Sequence, residues 1–501
     1  MSVFQQYIRQ YAQKNCNFLV NFTNSNPYRK EDIIMADKSV IDILIEKAKA
    51  AQKQVANYTQ EQIDDVCKAV AWQVYKDENI KIIARLAADE TDMGKFEDKA
   101  TKHKNKVLGI IADALQFKSV GLIERDEAKG ISKYAKPIGV IGALTPVTNP
   151  TATPSSNAVA ILKGRNAVVF APHPKSKKAT ALAVDYMRKG LKIVGAPEDL
   201  VQVIAEPSLE ASAELMGKVD LIVATGGGPM VKAAYSSGKP AYGVGPGNSC
   251  QIIAEDADVN DAAEKIIMSK TFDNATSCSS ENSIIIQESI YDEMLKALTS
   301  RGCYLCSKAE KDILGTFMWK PDKNGNLIIN GGLVAKSAEF IANTAGIAVH
   351  EGTKVLLVEG DMPLENDKFA EEKISPILTL YKYDKFMDGY DILKRLTDNC
   401  GTGHSCGIHS FNREYIEYLA ENMQTSRIMV RQPQAAGNGG AFFNGMPSTV
   451  TLGCGSWGNN ITSENISCKH FINVTWLSEP IPMNRPTDES IWGDYFKKYG
   501  M

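Results

Sequence analysis

Ile138-Gly139-Val140-Ile141-Gly142-Ala143-Leu144 and Ala167-Val168-Val169-Phe170 are short apolar runs, each closed by a proline two residues on and each followed by a segment of helical length. Leu200-Val201-Gln202-Val203-Ile204 and Leu221-Ile222-Val223-Ala224 repeat the pattern. A parallel strand is covered on both faces, so it reads as a continuous apolar run and not as an alternation. Runs of this kind interleaved with helices predict βαβ units and an α/β fold. Upstream, Ile41, Ile43, Leu44, Ala48 and Ala51, then Val66, Ala69, Val70 and Val74, recur at three- and four-residue steps. That spacing predicts helices from Ser39 to Met93 and again over Lys102–Phe117. Downstream, a second α/β block runs from about Ala263 to Phe443. It opens with a helix, holds strand candidates Ser283–Ile286 and Val355–Val358, and closes at Gly437-Asn438-Gly439-Gly440. Lys469–Leu477 is β-branched and aromatic, as suits an edge strand. No internal repeat or low-complexity tract interrupts this order.

A chain of 501 residues has room for two or three domains. Its 44% hydrophobic and 23% charged residues describe an ordinary globular protein, and a net charge of -3 offers no general pull on nucleic acid or anionic membrane. No apolar stretch approaches the ~20 residues of a membrane span. The start MSVFQQYIRQYAQKN lacks a basic-then-apolar leader, so a cytoplasmic protein is expected. Ten scattered cysteines read as free thiols. Cys303-Tyr304-Leu305-Cys306 has zinc or redox spacing, but no second Cys or His pair matches it, so two helical thiols near a turn and no metal are expected.

Thr271-Phe272-Asp273-Asn274-Ala275-Thr276-Ser277-Cys278-Ser279-Ser280-Glu281-Asn282-Ser283 places a cysteine after a helix and just ahead of the apolar Ile284-Ile285-Ile286. Small polar neighbours leave a planar electrophile room to reach the sulfur, and an adjacent backbone N–H could serve half an oxyanion hole. From spacing alone, a buried inert thiol fits as well. Thr225-Gly226-Gly227-Gly228-Pro229 follows a strand and precedes a helix. Its glycines let backbone N–H groups approach a pyrophosphate, or simply make a tight turn.

Together with Glu90-Thr91-Asp92-Met93-Gly94, Thr145-Pro146-Val147-Thr148-Asn149-Pro150, Ala171-Pro172-His173-Pro174, Gly243-Val244-Gly245-Pro246-Gly247-Asn248 and Thr451-Leu452-Gly453-Cys454-Gly455-Ser456-Trp457-Gly458, these segments resemble, in order, the CoA-acylating aldehyde dehydrogenases of the acetaldehyde dehydrogenase type. The likeness runs from about Ser39 to Leu477. It implies the aldehyde dehydrogenase fold: a cofactor domain of Rossmann type over 35–255, a catalytic α/β domain over 256–445, and a C-terminal segment over 446–501. That last segment would combine with Arg125–Lys136 in a small oligomerisation element, giving a homodimer or homotetramer.

The resemblance further implies Cys278 as nucleophile, with its pKa held low by a nearby cation, base or helix N-terminus. NAD or NADP, undecided between the two, would lie against Ala171, His173, Pro174, Thr225, Gly226, Gly227, Gly228 and Gly245, with Glu372 on the nicotinamide ribose. Thr148 or Asn149, either one, would hold the oxyanion, and His404 would assist the incoming thiol ahead of His409. Hydrolytic relatives carry a water-activating glutamate in the stretch that here reads Gly243–Asn248. With no carboxylate until Glu255, coenzyme A is the expected acyl acceptor.

Arg431, in Ser426-Arg427-Ile428-Met429-Val430-Arg431-Gln432-Pro433, stands where Asn is expected, and beside the acyl pocket it would suit an anionic substrate group. The Gly-Asn-Gly-Gly run and the ending Trp492–Gly500 are similar to the acylating sulfoacetaldehyde branch, so sulfoacetaldehyde is expected over acetaldehyde. Residues 1–34 fall outside the resemblance and read either as an upstream-start extension before Met35 or as an amphipathic targeting helix for a protein-shelled compartment. The rival readings are an acyl-phosphate reductase of the glutamate-semialdehyde type and a catalytically silent scaffold of the same fold.

Overall fold

Four helices come before any strand, and the sequence cues that start them are explicit. In the computed structural model, which describes residues 38–500, α1 (Val40–Val55) opens on a capping box formed by Ser39 and Asp42. α2 (Gln60–Tyr75) opens on another, from Thr59 and Gln62. Each box satisfies backbone N–H groups that a helix start leaves unpaired. Ile41, Ile45, Ala48, Ala51 and Val55 put one face of α1 into the core. α3 (Asp77–Thr91) ends on Asp92 in the left-handed region, and α4 (Phe96–Gln116) follows it. The two readings of residues 1–34 fall outside the described residues.

β1 (Gly121–Asp126) and β2 (Ile131–Lys136) form an antiparallel hairpin. A parallel sheet follows, made by β3 (Val140–Thr145), β4 (Ala167–Pro172), β5 (Val201–Val203), β6 (Leu221–Thr225) and β7 (Ala241–Val244) in the order β5-β4-β3-β6-β7. α5 (Ala152–Lys163), α6 (Lys177–Ile193), α7 (Leu209–Lys218) and α8 (Gly228–Ser236) make its connections. Every residue of β3 and β4 is buried, which is why both read as unbroken apolar runs. The chain runs outward from β3 to β5, then returns to β6 on the other side. Ligands of such sheets bind in the crevice beyond the carboxyl ends at that reversal.

β8 (Cys250–Ile253) starts a second, seven-stranded sheet and leads to α9 (Val259–Thr271) and β9 (Ser283–Gln287). The sheet is completed by β10 (Cys303–Leu305), and, after the small hairpin β11 (Trp319–Pro321) and β12 (Leu327–Ile329), by β13 (Val355–Glu359), β14 (Ile377–Tyr383), β15 (Cys406–His409) and β16 (Ile428–Val430). The order is β10-β13-β14-β9-β8-β15-β16, with every pair parallel. Cys303 and Cys306 are therefore not helical, as their spacing suggested. They bracket an edge strand whose partner β13 draws them into a buried, apolar setting.

β17 (Asn473–Ser478) pairs antiparallel with β2, closing a three-stranded sheet with β17 at its edge. Its residues are all exposed, Trp476 and Leu477 among them, and the C-terminal helix Asp488–Tyr499 also presents Trp492 and Tyr499 to solvent. Among the described residues, no helix is long and apolar enough to cross a membrane.

Candidate active site

The loop carrying Cys278 begins where α9 stops. Asp273, Asn274 and Ala275 take φ values of 52°, 51° and 59°, three left-handed residues in succession. Asp and Asn visit that region more readily than other side chains, but Ala does not, so surrounding bonds must hold the turn. They converge on Asp273. Its carboxylate accepts from Lys102 Nζ at 2.7 Å, Thr276 Oγ1 at 2.6 Å and the Lys95 backbone N–H at 2.9 Å, with Lys99 Nζ at 3.3 Å. Its own N–H donates to Asp98 at 2.8 Å, and Asn274 Nδ2 donates to the Ala335 carbonyl at 3.0 Å. Burial pushes the Asp273 carboxyl up, but the ammonium groups of Lys102 and Lys99 outweigh it and leave it below the usual carboxylate range.

Cys278 Sγ stands 3.2 Å from Nε2 of His404, just ahead of β15. The imidazole's other nitrogen, Nδ1, is 2.8 Å from Ser405 Oγ. Ser405 Oγ lies 2.7 Å from Ser249 Oγ and accepts from Asn438 Nδ2 at 3.2 Å, while Ser249 Oγ donates to the Cys278 carbonyl at 3.5 Å. A hydroxyl has one proton and two lone pairs. If Ser249 gives its proton to Cys278 O, Ser405 gives its own to Ser249, and its two lone pairs take Asn438 and the Nδ1–H of His404. The network thereby assigns the tautomer, leaving Nε2 as an acceptor aimed at the sulfur.

Burial and the nearby guanidinium of Arg427 lower the His404 pKa to about 3, so the ring is neutral. Arg427 itself is buried, and it donates to the carbonyls of His404 and Gly453 at 2.7 and 2.6 Å and to Asn465 Oδ1 at 2.8 Å. The expectation of a low thiol pKa is corrected here. Burial, then the neighbouring Glu372 and Cys454, push Cys278 up to about 12. A neutral thiol faces a neutral imidazole that can take its proton as the sulfur attacks.

A cavity of about 300 Å³ opens on one side of Cys278. Asn149, Phe272 and Phe442 line it, as does the face of α4 carrying Lys102, Asn105, Lys106 and Gly109. Their three- and four-residue spacing is that of one helical stripe. Asn149 Oδ1 accepts from Lys102 Nζ at 3.0 Å, which orients the amide and frees its NH₂. Of the two oxyanion candidates, Asn149 lines the cavity and Thr148 does not.

A second cleft, lined by Gly228, Tyr235, Gly245, Pro246, Thr402 and Cys454, lies at the carboxyl end of β6 and the start of α8. Between it and Cys278 stands Gly247. A Cβ built there would lie 2.5 Å from the Cys278 carbonyl oxygen and 2.9 Å from His404 Cδ2, so only glycine fits. At Gly228 and Gly245 a Cβ would meet nothing within 4 Å and would project into open space. These two positions leave room for a pyrophosphate beside a helix N-terminus. Glu372 Oε1 is buried with no protein partner, as an oxygen awaiting a sugar hydroxyl would be. The residues present fit a dinucleotide. Burial, opposed in part by the nearby Gly247 N–H, raises the Glu372 pKa to about 8, so at neutral pH it is mostly protonated and a poor base for water.

The other expected residues are placed as follows. Ala171 is the penultimate residue of β4 and is buried; His173, just beyond the strand, uses Nδ1 to accept the Lys175 N–H ahead of a short 3₁₀ turn that begins at Pro174. Thr225 closes β6, its hydroxyl 3.1 Å from that of Thr451. Gly226 is tight against Met230, whose Sδ would lie 2.9 Å from a built Cβ, and Gly227 caps α8. His409 ends β15, buried and away from the thiol. Arg431, expected beside the acyl pocket, is placed elsewhere. It does not line the cavity but donates to the Ser410 carbonyl at 2.5 Å and lies 4.4 Å over the Phe411 ring. β16 runs parallel to β15, so Arg431 leaves at the carboxyl ends of these strands, opposite the end where His404 enters. Lys102, Lys106, Ser249, Ser405, Asn438 and Arg427 were not expected. The stripe on α4 and the serine adjoining His404 were the signals available.

Residues 20–458 match the model of the aldehyde dehydrogenase family. The chain is 63% identical to a sulfoacetaldehyde dehydrogenase of an Acholeplasma species, over 91% of this chain and 94% of that one. It is 56% identical to an acylating sulfoacetaldehyde dehydrogenase of Bilophila wadsworthia, over 91% and 98%. The fold superposes on the crystal structure of an acetylating aldehyde dehydrogenase from Geobacillus thermoglucosidasius with a TM-score of 0.85 and 36% identity, covering 89% of this chain and 98% of that one.

Proposed function

This chain belongs to the aldehyde dehydrogenase family, among its CoA-acylating members, and we propose that it joins sulfoacetaldehyde to coenzyme A as an acyl thioester, or reduces that thioester, through Cys278. The observation that carries this reading is a thiol 3.2 Å from a neutral, tautomer-fixed imidazole, beside a strip of backbone that holds no unprotonated carboxylate.

In the oxidative direction the Cys278 sulfur adds to the aldehyde carbon as Nε2 of His404 takes the thiol proton. The new oxyanion is held by the Asn149 amide, which Lys102 orients. Gly228, Gly245 and Glu372 would hold NAD(P) in the second cleft, where it would supply the hydride acceptor as the carbonyl re-forms. What remains on the protein is a Cys278 thioester. With Glu372 mostly protonated and Gly247 packed against the sulfur's own loop, no carboxylate among the described residues prepares water to cleave it. Once His404 has passed the first proton to solvent, its free Nε2 takes the proton of the coenzyme A thiol, the thiolate attacks the acyl carbon, and departing Cys278 recovers that proton.

The test is spectrophotometric. Sulfoacetaldehyde with NAD or NADP should give one reduced cofactor per site without CoA and continuous turnover with it, both lost in Cys278→Ala. Free acid released as fast without CoA as with it would overturn the mechanism. The exposed face of β17 and the C-terminal helix, with Trp476 and Trp492 bared, supports a homo-oligomer assembled there. Trp476→Glu should then lower the mass seen by sedimentation, and an unchanged mass would dismiss that surface.

A further inference from the structure

Two lysines stand on the stripe of α4 that walls the aldehyde cavity, and their bonding differs. Lys102 spends its three N–H donors on Asp273, Thr276 and Asn149, and Asp273 neutralises its charge. Lys106, one turn on, donates to the carbonyls of Gly439 at 2.7 Å and Gly440 at 3.0 Å. An ammonium has three donors, so one is left over. No carboxylate among the described residues pairs with it.

We propose that Lys106 is the specificity-determining cation of this cavity, binding the anionic end of the aldehyde through its free N–H while Phe272 and Phe442 enclose the carbon between. This rests on the sulfoacetaldehyde reading above and names the side chain that reads the sulfonate. Burial and the neighbouring Lys102 lower the Lys106 pKa to about 8, as befits a cation that lacks its counter-ion. An anion entering the cavity supplies that counter-ion. Arg431, tied to Ser410 and Phe411, has no access to it.

The experiment compares kcat/KM for sulfoacetaldehyde and propionaldehyde in the CoA-dependent reaction of the wild type, Lys106→Gln and Lys106→Arg. Glutamine keeps N–H donors on an unbranched side chain while removing the charge. The ratio of the two constants should fall ~10- to 100-fold in Lys106→Gln, the range expected for a lost charged hydrogen bond. It should be held within a few-fold by Lys106→Arg. In a parallel measurement, ethanesulfonate should slow alkylation of Cys278 by iodoacetamide in the wild type and lose that effect in Lys106→Gln. A wild type that makes acyl-CoA without preferring the sulfonated aldehyde would overturn the substrate reading. A wild type that prefers it, with Lys106→Gln keeping the same ratio, would overturn the assignment to Lys106 alone. If Lys106→Gln does not fold, failure of ethanesulfonate to protect the wild type overturns the assignment.

Discussion

Replacing Ser405 by alanine removes one oxygen and should disable the base without touching it. Ser405 Oγ is buried and meets His404 Nδ1 at 2.8 Å, Ser249 Oγ at 2.7 Å and Asn438 Nδ2 at 3.2 Å. Without it, two buried donors lose their acceptor, a cost of about 1–3 kcal/mol in stability. The kinetic effect has a separate origin. In the wild type the Nδ1–H tautomer is selected because Ser405 accepts from it. In Ser405→Ala the sulfur is the one hydrogen-bond partner left to the ring among the described residues, and the Nε2–H tautomer becomes competitive. In that form Nε2 cannot take the thiol proton. Losing ~1.4–2.8 kcal/mol of tautomer bias slows acylation ~10- to 100-fold. Complete loss of general-base help, ~10²–10⁴, is the ceiling. The assay is the single-turnover burst of reduced cofactor with aldehyde in the absence of CoA. Its rate should drop while the KM for aldehyde, set by the cavity walls, stays within about twofold. Ser405→Thr restores the hydroxyl and should restore most of the rate. A full-rate burst in Ser405→Ala, or a slow burst that Ser405→Thr leaves slow, would refute the tautomer account, whatever the melting temperature does.

Gly247→Ala places a methyl 2.5 Å from the Cys278 carbonyl and 2.9 Å from the imidazole; it should cost about 1–3 kcal/mol in a thermal melt and abolish most turnover, and wild-type turnover would show the loop to be pliant. Because burial raises the Cys278 thiol to about 12, its thiolate fraction grows with every step of pH below that value. Iodoacetamide should therefore alkylate it about tenfold faster per unit from pH 6 to 9, and a plateau with a midpoint below pH 7 would contradict the raised value. Asp273→Asn removes the carboxylate that faces both Lys99 and Lys102; denaturant melts should show a loss of about 3–5 kcal/mol, and a loss under 1 kcal/mol would mean the left-handed turn holds itself.

How far the sequence reaches is clearest at residues where it succeeds and fails side by side. The two parallel sheets were legible because strands covered on both faces leave continuous apolar runs such as Val140–Leu144. Cys278 and His404 were legible through the family's strings, though nothing in either string says that they lie 3.2 Å apart. Thr148 and Asn149 could not be separated, since a one-residue offset in a loop decides which side chain turns towards the thiol. Nearness in sequence to the glycine-rich stretch does not say at which end of a strand Arg431 departs. The low thiol pKa was misjudged because burial is a property of the whole surrounding: Lys99 and Lys102 are engaged with Asp273, and Arg427 does not outweigh the burial of the sulfur. Cys303 and Cys306 fooled the eye because a three-residue strand leaves no periodicity to read. Lys106 sat in a helix that was anticipated, but which face of it would wall a cavity depends on partners more than 300 residues away, at Gly439 and Gly440.

The stripe along α4 divides labour by position. Residue 102 braces the segment bearing the sulfur, and residue 106, a turn further along, inspects whatever enters. Changing the inspector need not disturb the brace, so a lineage could adopt a neutral, carboxylated or sulfonated aldehyde by altering one lysine, with the bond-making apparatus inherited intact.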